Sequence, residues 1–159
     1  MIASAESFNA PVITESPRRL VLYQHHVVGE ADLPVTVPRA FGELYQLIEQ
    51  SGVEPVGPPF TVYQSEFVPG QPLELDVCAP VATAMAPSAH FSFREMPATR
   101  VVSLLHIGPY DTLGTAYECA DAYIRDKGLI VTGPPREFYL SPPETPPEQI
   151  QTIVEWPVA

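Results

Sequence analysis

The chain has 159 residues, enough for one ordinary domain with one sizeable hydrophobic core. It carries 8 Lys+Arg against 19 Asp+Glu, and a formal net charge of −11 argues against direct binding of nucleic acid, whose phosphates attract basic surfaces. No apolar run approaches the roughly 18 residues of a membrane span, and the N-terminus lacks the basic start and apolar centre of a signal peptide, so we expect a cytoplasmic protein with no membrane partner.

The first half of the chain predicts a strand, a helix and two further strands, in that order. The first strand is expected over Arg19–Gly29. The helix ends at Gly52, a residue type that favours the left-handed geometry just after a helix. Two strands then follow at Phe60–Glu66 and Leu73–Ala79. The apolar residues of the helix recur in three- and four-residue steps, which is typical of one buried helical face: Val37, Ala40, Phe41, Leu44, Leu47 and Ile48.

The second half predicts the same order of elements. A strand over Thr99–Gly108 precedes a helix that Asp111 or Thr112 is expected to cap and that ends at Gly128. The last two strands are expected at Arg136–Leu140 and Ile150–Val158. The apolar residues of this helix match those of the first helix one by one, 76 residues later: Leu113, Ala116, Tyr117, Ala120, Tyr123 and Ile124.

The two halves also share punctuation, because Gly52–Tyr63 recurs as Gly128–Tyr139 with its Gly-Pro-Pro and final tyrosine in register. We therefore predict a single α+β domain over residues 1–159 that contains a duplicated β-α-β-β unit, repeat one covering about 17–84 and repeat two about 91–159. Met85–His90 is predicted to be the linker, and Met1–Ser16 a leader with weak structure of its own. Two such units are expected to form a pseudo-two-fold antiparallel sheet assembly with two helices and a ligand cleft between the copies.

The sequence offers no arrangement typical of a metal or cofactor site. Cys78 and Cys119 lack metal-ligand or redox spacing. His25 and His26 are adjacent, so on a strand their side chains point to opposite faces and do not readily share a metal ion. There is no glycine-rich phosphate loop. We expect neither a metal nor a cofactor.

Three motifs in the second half resemble the GyrI-like small-molecule-binding family: His106-Ile-Gly-Pro-Tyr110, Gly133-Pro-Pro-Arg-Glu-Phe-Tyr139 and Glu155-Trp-Pro-Val158. That family includes the effector-binding domains of multidrug-sensing regulators of the MerR and AraC types. The resemblance implies tandem β-α-β-β units, or SHS2-like modules, around a central pocket for hydrophobic and often cationic molecules. It also implies a buried glutamate that meets the positive charge among aromatic side chains.

Glu137 matches the acidic position of the family, and Tyr139 lies two residues further on the same strand, so both side chains are expected on one sheet face. A carboxylate in a partly dry cleft is costly unless a cation joins it, and aromatic rings add cation–π attraction. The alternative is a solvated strand glutamate beside Arg136. The matching position in the first repeat is Thr61, so we expect one functional side rather than two equivalent ones.

Further aromatic residues and one histidine are candidates for contact with a ligand. Trp156 and Tyr110 each have an alternative role in core packing, and His106 is the candidate base but also fits a structural role at a strand end. Tyr117 and Tyr123 lie on the buried helical stripe and are expected to pack in the core. The candidate ligand-binding set is Glu137, Tyr139, Trp156, Tyr110, His106, Phe60, Tyr63 and Phe93.

Three functions remain open from the sequence. The first is stand-alone binding of lipophilic or cationic small molecules of the multidrug type. The second, which the resemblance implies because some members of the family have this activity, is hydrolysis of strained cyclopropane-containing natural products, with Glu137 as general base and Tyr139 as proton donor. The third is an interaction with another protein, which the resemblance also implies because the family includes proteins that protect gyrase from its poisons. Binding and hydrolysis need the same two residues, so the sequence does not decide whether the protein is an enzyme.

Overall fold

The computed structural model describes residues 7–8, 10–84 and 91–159. Within these ranges the chain is an α+β protein with two α-helices and nine strands, as predicted in outline. Neither helix is long and apolar enough to cross a membrane. The strands and helices, in chain order, are β1 Ser7–Phe8, β2 Val12–Ser16, β3 Arg19–Val28, α1 Leu33–Ser51, β4 Phe60–Tyr63, β5 Leu73–Pro80, β6 Ser92–Met96, β7 Thr99–Ile107, α2 Leu113–Asp126, β8 Arg136–Tyr139 and β9 Gln151–Pro157.

The chain divides into two compact units whose membership differs from the predicted repeats. The N-terminal unit is Pro17–Ala98, and the C-terminal unit joins the residues up to Ser16 to Thr99–Ala159. Strand β2 pairs with β7, and strand β6 pairs with β3. The prediction of a weakly structured leader is therefore wrong for Val12–Ser16, which forms a strand of the C-terminal unit. The predicted linker at Met85–His90 lies outside the described residues.

The N-terminal unit is an antiparallel sheet in the order β4-β5-β3-β6 with helix α1 on one face. The buried residues of α1 are Ala40, Leu44 and Ile48, all from the predicted apolar stripe. Leu44 and Ile48 form a hydrophobic cluster with Leu22 of β3, which anchors the helix on the sheet. Gly52 follows the helix at φ 74°, the left-handed geometry that its residue type predicted.

The C-terminal unit repeats this arrangement with helix α2. Strand β9 pairs with β7 and β8, and β1 and β2 pair with the opposite edge of β7. The helix buries its predicted positions Leu113, Ala116, Ala120 and Ile124 against residues of β7 and β9. Its left-handed glycine is Gly128, at φ 64°. A side chain on these faces of β7 and β9 therefore lies next to α2.

Both Gly-Pro-Pro turns have the same local geometry. A side chain at Gly57 would meet Pro80 at 3.5 Å, and one at Gly133 would meet Pro157 at 3.5 Å. Each turn leads into a strand that ends at a tyrosine, Tyr63 or Tyr139, earlier than predicted. Two units of like order are thus present, while their origin by duplication and a ligand cleft between them stay predictions.

The start of helix α2 is built differently from the prediction. Neither Asp111 nor Thr112 caps the helix with its side chain. The Thr112 hydroxyl instead donates to the carbonyl oxygen of Pro109 at 2.9 Å and lies 3.0 Å from Nε2 of His106. Thr112 is thus the N-cap residue, one of the two predicted positions, but its hydroxyl joins the helix start to the end of β7 and makes no capping bond.

Candidate functional site

Glu137 is a buried carboxylate on strand β8, with 6% of its surface exposed. Its cross-strand partner is Val154, whose side chain packs with residues of α2, so Glu137 lies on the sheet face that carries the helix. The Tyr139 hydroxyl donates to Oε1 at 2.9 Å, and the Tyr117 hydroxyl donates to Oε2 at 2.5 Å. The alternative of a solvated strand glutamate is therefore wrong.

Two further aromatic rings extend this group on both sides. The Tyr110 ring meets the Tyr139 ring edge to face, with centroids 5.9 Å apart, and the Trp156 ring meets the Tyr117 ring in the same way at 5.8 Å. Tyr110 is half exposed, so it forms the solvent edge of the group. We call Glu137 and these four aromatic residues the Glu137 site; it lies entirely within the C-terminal unit.

The negative charge of Glu137 affects the titration of Tyr110, the outermost ring of the site. The pKa of Tyr110 is raised above its ordinary value, first by burial and then by the negative charge of Glu137. Phenol donors stabilise a carboxylate through charge-assisted hydrogen bonds, and ring faces attract cations. The arrangement therefore presents one negative charge lined by aromatic surface, a chemistry suited to an organic cation or to proton transfer.

Tyr117 is the site residue that the sequence analysis missed. Its position on the apolar stripe of α2 predicted core packing, and its ring does pack beside Leu113, Ala116 and Val154. Its hydroxyl nevertheless donates to Glu137. A signal was present, because the matching residue of the first repeat is Phe41, which lacks only the hydroxyl.

The remaining candidates are His106, in the same unit as Glu137, and three rings of the N-terminal unit. His106 is fully buried and its Nε2 bonds Thr112, which gives it a structural contact between β7 and the start of α2. Phe60, Tyr63 and Phe93 belong to the N-terminal unit. Phe60 is fully buried there under the Arg19 guanidinium, 5.9 Å from its centroid. Any contact of these three rings with a ligand stays a prediction.

His25 and His26 have separate hydrogen bonds, as their alternation on a strand predicted. Nδ1 of His25 lies 2.7 Å from Oδ1 of Asp76, whereas Nε2 of His26 lies 2.8 Å from the side-chain oxygen of Gln24. Asp76 is almost fully buried. Among the described residues, no three His, Cys, Asp or Glu side chains are arranged to hold a metal ion.

The pKa shifts of these two histidines predict that their joint contribution to the free energy of unfolding is most favourable near pH 6.5. The bond to Asp76 raises the pKa of His25 above 6.5, so its stabilising contribution is complete below pH 6.5 and is lost as the pH rises through the folded-state value. Burial, the largest cause, lowers the pKa of His26 below 6.5, so its unfavourable contribution disappears as the pH rises towards 6.5. Urea unfolding from pH 5.5 to 8.5 measures both effects.

The two single variants separate the contributions. His25→Gln should remove the loss of stability above pH 6.5, and His26→Gln should remove the loss below it. Because His25 is about half exposed, each effect is expected to stay under about 1 kcal/mol. A His25→Gln variant that keeps the whole alkaline slope would contradict the assignment.

Comparison with known proteins identifies a family and a fold. The family model described as the GyrI-like small molecule binding domain matches residues 10–159. No curated protein sequence matches the chain. Since the family match covers most of the chain, it bears on the whole of the described structure rather than on one motif.

Several solved structures share the fold at low sequence identity. The EcmrR C-terminal domain has a TM-score of 0.81 at 22% identity, with 94% of this chain and 96% of that chain covered. The EcmrR chain in the EcmrR–DNA complex has a TM-score of 0.84 at 21% identity. The match covers 95% of this chain but only 57% of that EcmrR chain.

Two other solved structures with this fold are a hydrolase and a protein bound to an organic cation. A hydrolase encoded by lin2189 from Listeria innocua has a TM-score of 0.70 at 16% identity, with 94% and 91% of the two chains covered. SAV2435 bound to tetraphenylphosphonium has a TM-score of 0.61 at 12% identity, with 94% and 93% covered. At these identities the likeness concerns the fold alone.

Proposed function

This chain belongs to the GyrI-like small-molecule-binding family, and on that footing we propose that it binds hydrophobic organic cations at the Glu137 site. The observation that carries the proposal is the Glu137 carboxylate itself. It is 6% exposed, and tyrosine hydroxyls donate to both of its oxygens. A cation with apolar substituents compensates a partly dry carboxylate at less desolvation cost than a small, strongly hydrated ion does.

The aromatic residues supply the rest of the recognition. Tyr110 and Tyr139 form one edge-to-face pair, and Tyr117 and Trp156 form the other. Ring faces near a carboxylate attract cations by roughly 0.5–2 kcal/mol each, depending on how far the cation is desolvated. The proposal therefore requires little shape specificity, which suits ligands of the multidrug type. A related fold, SAV2435, has been solved with the lipophilic cation tetraphenylphosphonium, and this compound is the natural first probe.

Titration with tetraphenylphosphonium tests the proposal directly. Trp156 is the single tryptophan of the chain and contacts Tyr117, so its fluorescence should report binding at the site. We expect saturation with a Kd in the micromolar range, which corresponds to about 8 kcal/mol of binding free energy. Triphenylphosphine oxide, which is neutral and keeps three of the four phenyl rings, should bind more weakly. Equal affinity for both compounds would contradict the role of the carboxylate.

Hydrolysis of a strained, cyclopropane-bearing compound is the second candidate. It is favoured by the pair of O–H···carboxylate bonds at Glu137, because such a pair is able to move a proton to or from a bound molecule. Product formation by mass spectrometry, abolished in Glu137→Gln, would support this activity. Stoichiometric binding without any product would favour the first candidate.

A further inference from the structure

Thr152 has a buried hydroxyl with no protein partner in the part of the chain that the structure describes. The residue is fully buried on strand β9, and its Oγ1 makes no hydrogen bond. A buried polar atom of this kind costs free energy unless something satisfies it. Threonine is also easily replaced by valine of the same shape, so an unsatisfied hydroxyl in a core needs a reason.

The position of Thr152 suggests the reason. Its cross-strand partner on β8 is Tyr139 and its partner on β7 is His106, so the three residues form one row across the sheet. Glu137 lies two residues from Tyr139 and therefore on the same face. Glu137 and Thr152 are diagonal neighbours across β8 and β9, a relation that places Cα atoms about 7–8 Å apart.

The N-terminal unit contains the same row with a different central residue. There, Leu75 pairs with His26 on one side and with Tyr63 on the other. Leu75 is fully buried, as is Thr61, which occupies the position that matches Glu137. Where the carboxylate is absent, the row is completed by an apolar residue. The Thr152 hydroxyl thus occurs in the unit that contains Glu137. Leu75 shows that an apolar side chain fills the same position in the other unit.

We propose that Thr152 belongs to the ligand site and donates a hydrogen bond to an acceptor oxygen of the bound cation. This inference rests on the proposed function and narrows its ligand class. The ligand is a lipophilic cation with an ether, hydroxyl or carbonyl oxygen about one aromatic ring away from the positive charge. Tyr139 is the cross-strand neighbour of Thr152 on β8, and its hydroxyl donates to Glu137. A cation that takes over this bond allows the Tyr139 ring to turn and exposes the threonine hydroxyl.

The binding test uses two variants of Thr152, two probes and the whole chain of 159 residues. The probes are tetraphenylphosphonium and (4-methoxyphenyl)triphenylphosphonium, which differ by one methoxy group. Thr152→Val should bind tetraphenylphosphonium as the wild type does and should bind the methoxy compound roughly three- to tenfold more weakly than the wild type. Thr152→Ser, which keeps the hydroxyl, should retain most of the affinity for the methoxy compound.

The stability of the free protein provides an independent readout. Thr152→Val should raise the thermal midpoint by about 2–4 °C, because it removes a buried hydroxyl without a partner. The matched change Leu75→Thr should lower the midpoint and leave both affinities unchanged. A lower midpoint in Thr152→Val would overturn the inference, because the hydroxyl would then be satisfied within the free fold.

The binding data separate the two proposals. If Thr152→Val weakens both probes equally, the assignment of Thr152 is wrong while cation binding at Glu137 stands. If the wild type binds neither probe, cation binding fails and the inference fails with it. Selective loss of the methoxy compound together with a raised midpoint supports the inference.

Discussion

Replacing Glu137 by Gln is expected to weaken the binding of tetraphenylphosphonium roughly 10- to 100-fold. Glutamine has the same shape as glutamate and still accepts a hydrogen bond, so the main change is the loss of the negative charge. The carboxylate is buried with tyrosine donors on both oxygens, and charge interactions are strongest where water is excluded. Isothermal titration calorimetry of both proteins at pH 7 measures the difference.

A control is needed because the whole chain is strongly acidic, at −11. Removing any carboxylate weakens the long-range attraction for cations to some degree. Glu148, an exposed residue in the turn before β9, provides the matched change within the same unit. Glu148→Gln should alter the affinity less than twofold. Similar losses in the two variants would mean that the attraction is diffuse and that Glu137 is not the binding group.

Replacing Asp76 by Asn is expected to destabilise the fold by about 2–3 kcal/mol. Asp76 is 2% exposed and accepts bonds from Gln64 and Arg94 on one oxygen, while His25 lies 2.7 Å from the other. Loss of the carboxylate leaves the Arg94 guanidinium without this counter-charge, and breaking a buried ion pair on one side costs several kcal/mol. The lower value here reflects the partial exposure of Arg94 and His25.

Two measurements check this assignment. Urea denaturation at pH 7 should give the loss of free energy, and NMR titration should show the pKa of His25 falling back towards 6.5 in Asp76→Asn. Glu74→Gln is the control, since Glu74 is exposed and lies 3.4 Å from the other nitrogen of His25. It should cost under about 0.5 kcal/mol. An unchanged pKa of His25 in Asp76→Asn would show that the contact with Asp76 does not set that pKa.

Local signals in the sequence predicted the elements of the fold well. The glycine stops at Gly52 and Gly128 depend only on a backbone geometry that glycine adopts at little cost. Helical spacing likewise identified the buried positions of both helices. The pairing of β2 with β7 was missed because nothing in Val12–Ser16 specifies its distant partner. Strand pairing is a property of the assembled sheet.

The candidate site was predicted only in part for a similar reason. Two residues on one strand share a face by geometry, so Glu137 and Tyr139 were found together. The contribution of Tyr117 depends on the register between helix α2 and strand β8, which periodicity within one element does not fix. Thr152 is harder still to find, because a buried threonine and a buried valine give the same pattern.

The pairing of β2 with β7 also orders events during synthesis. Val12 pairs with Ser103, so strand β2 has no partner until Ser103 and its neighbours in β7 have been synthesised. The N-terminal unit, Pro17–Ala98, is by then complete in sequence. We therefore expect Val12–Ser16 to stay unpaired while Pro17–Ala98 collapses, and the C-terminal unit, which contains Glu137, to be the last to form.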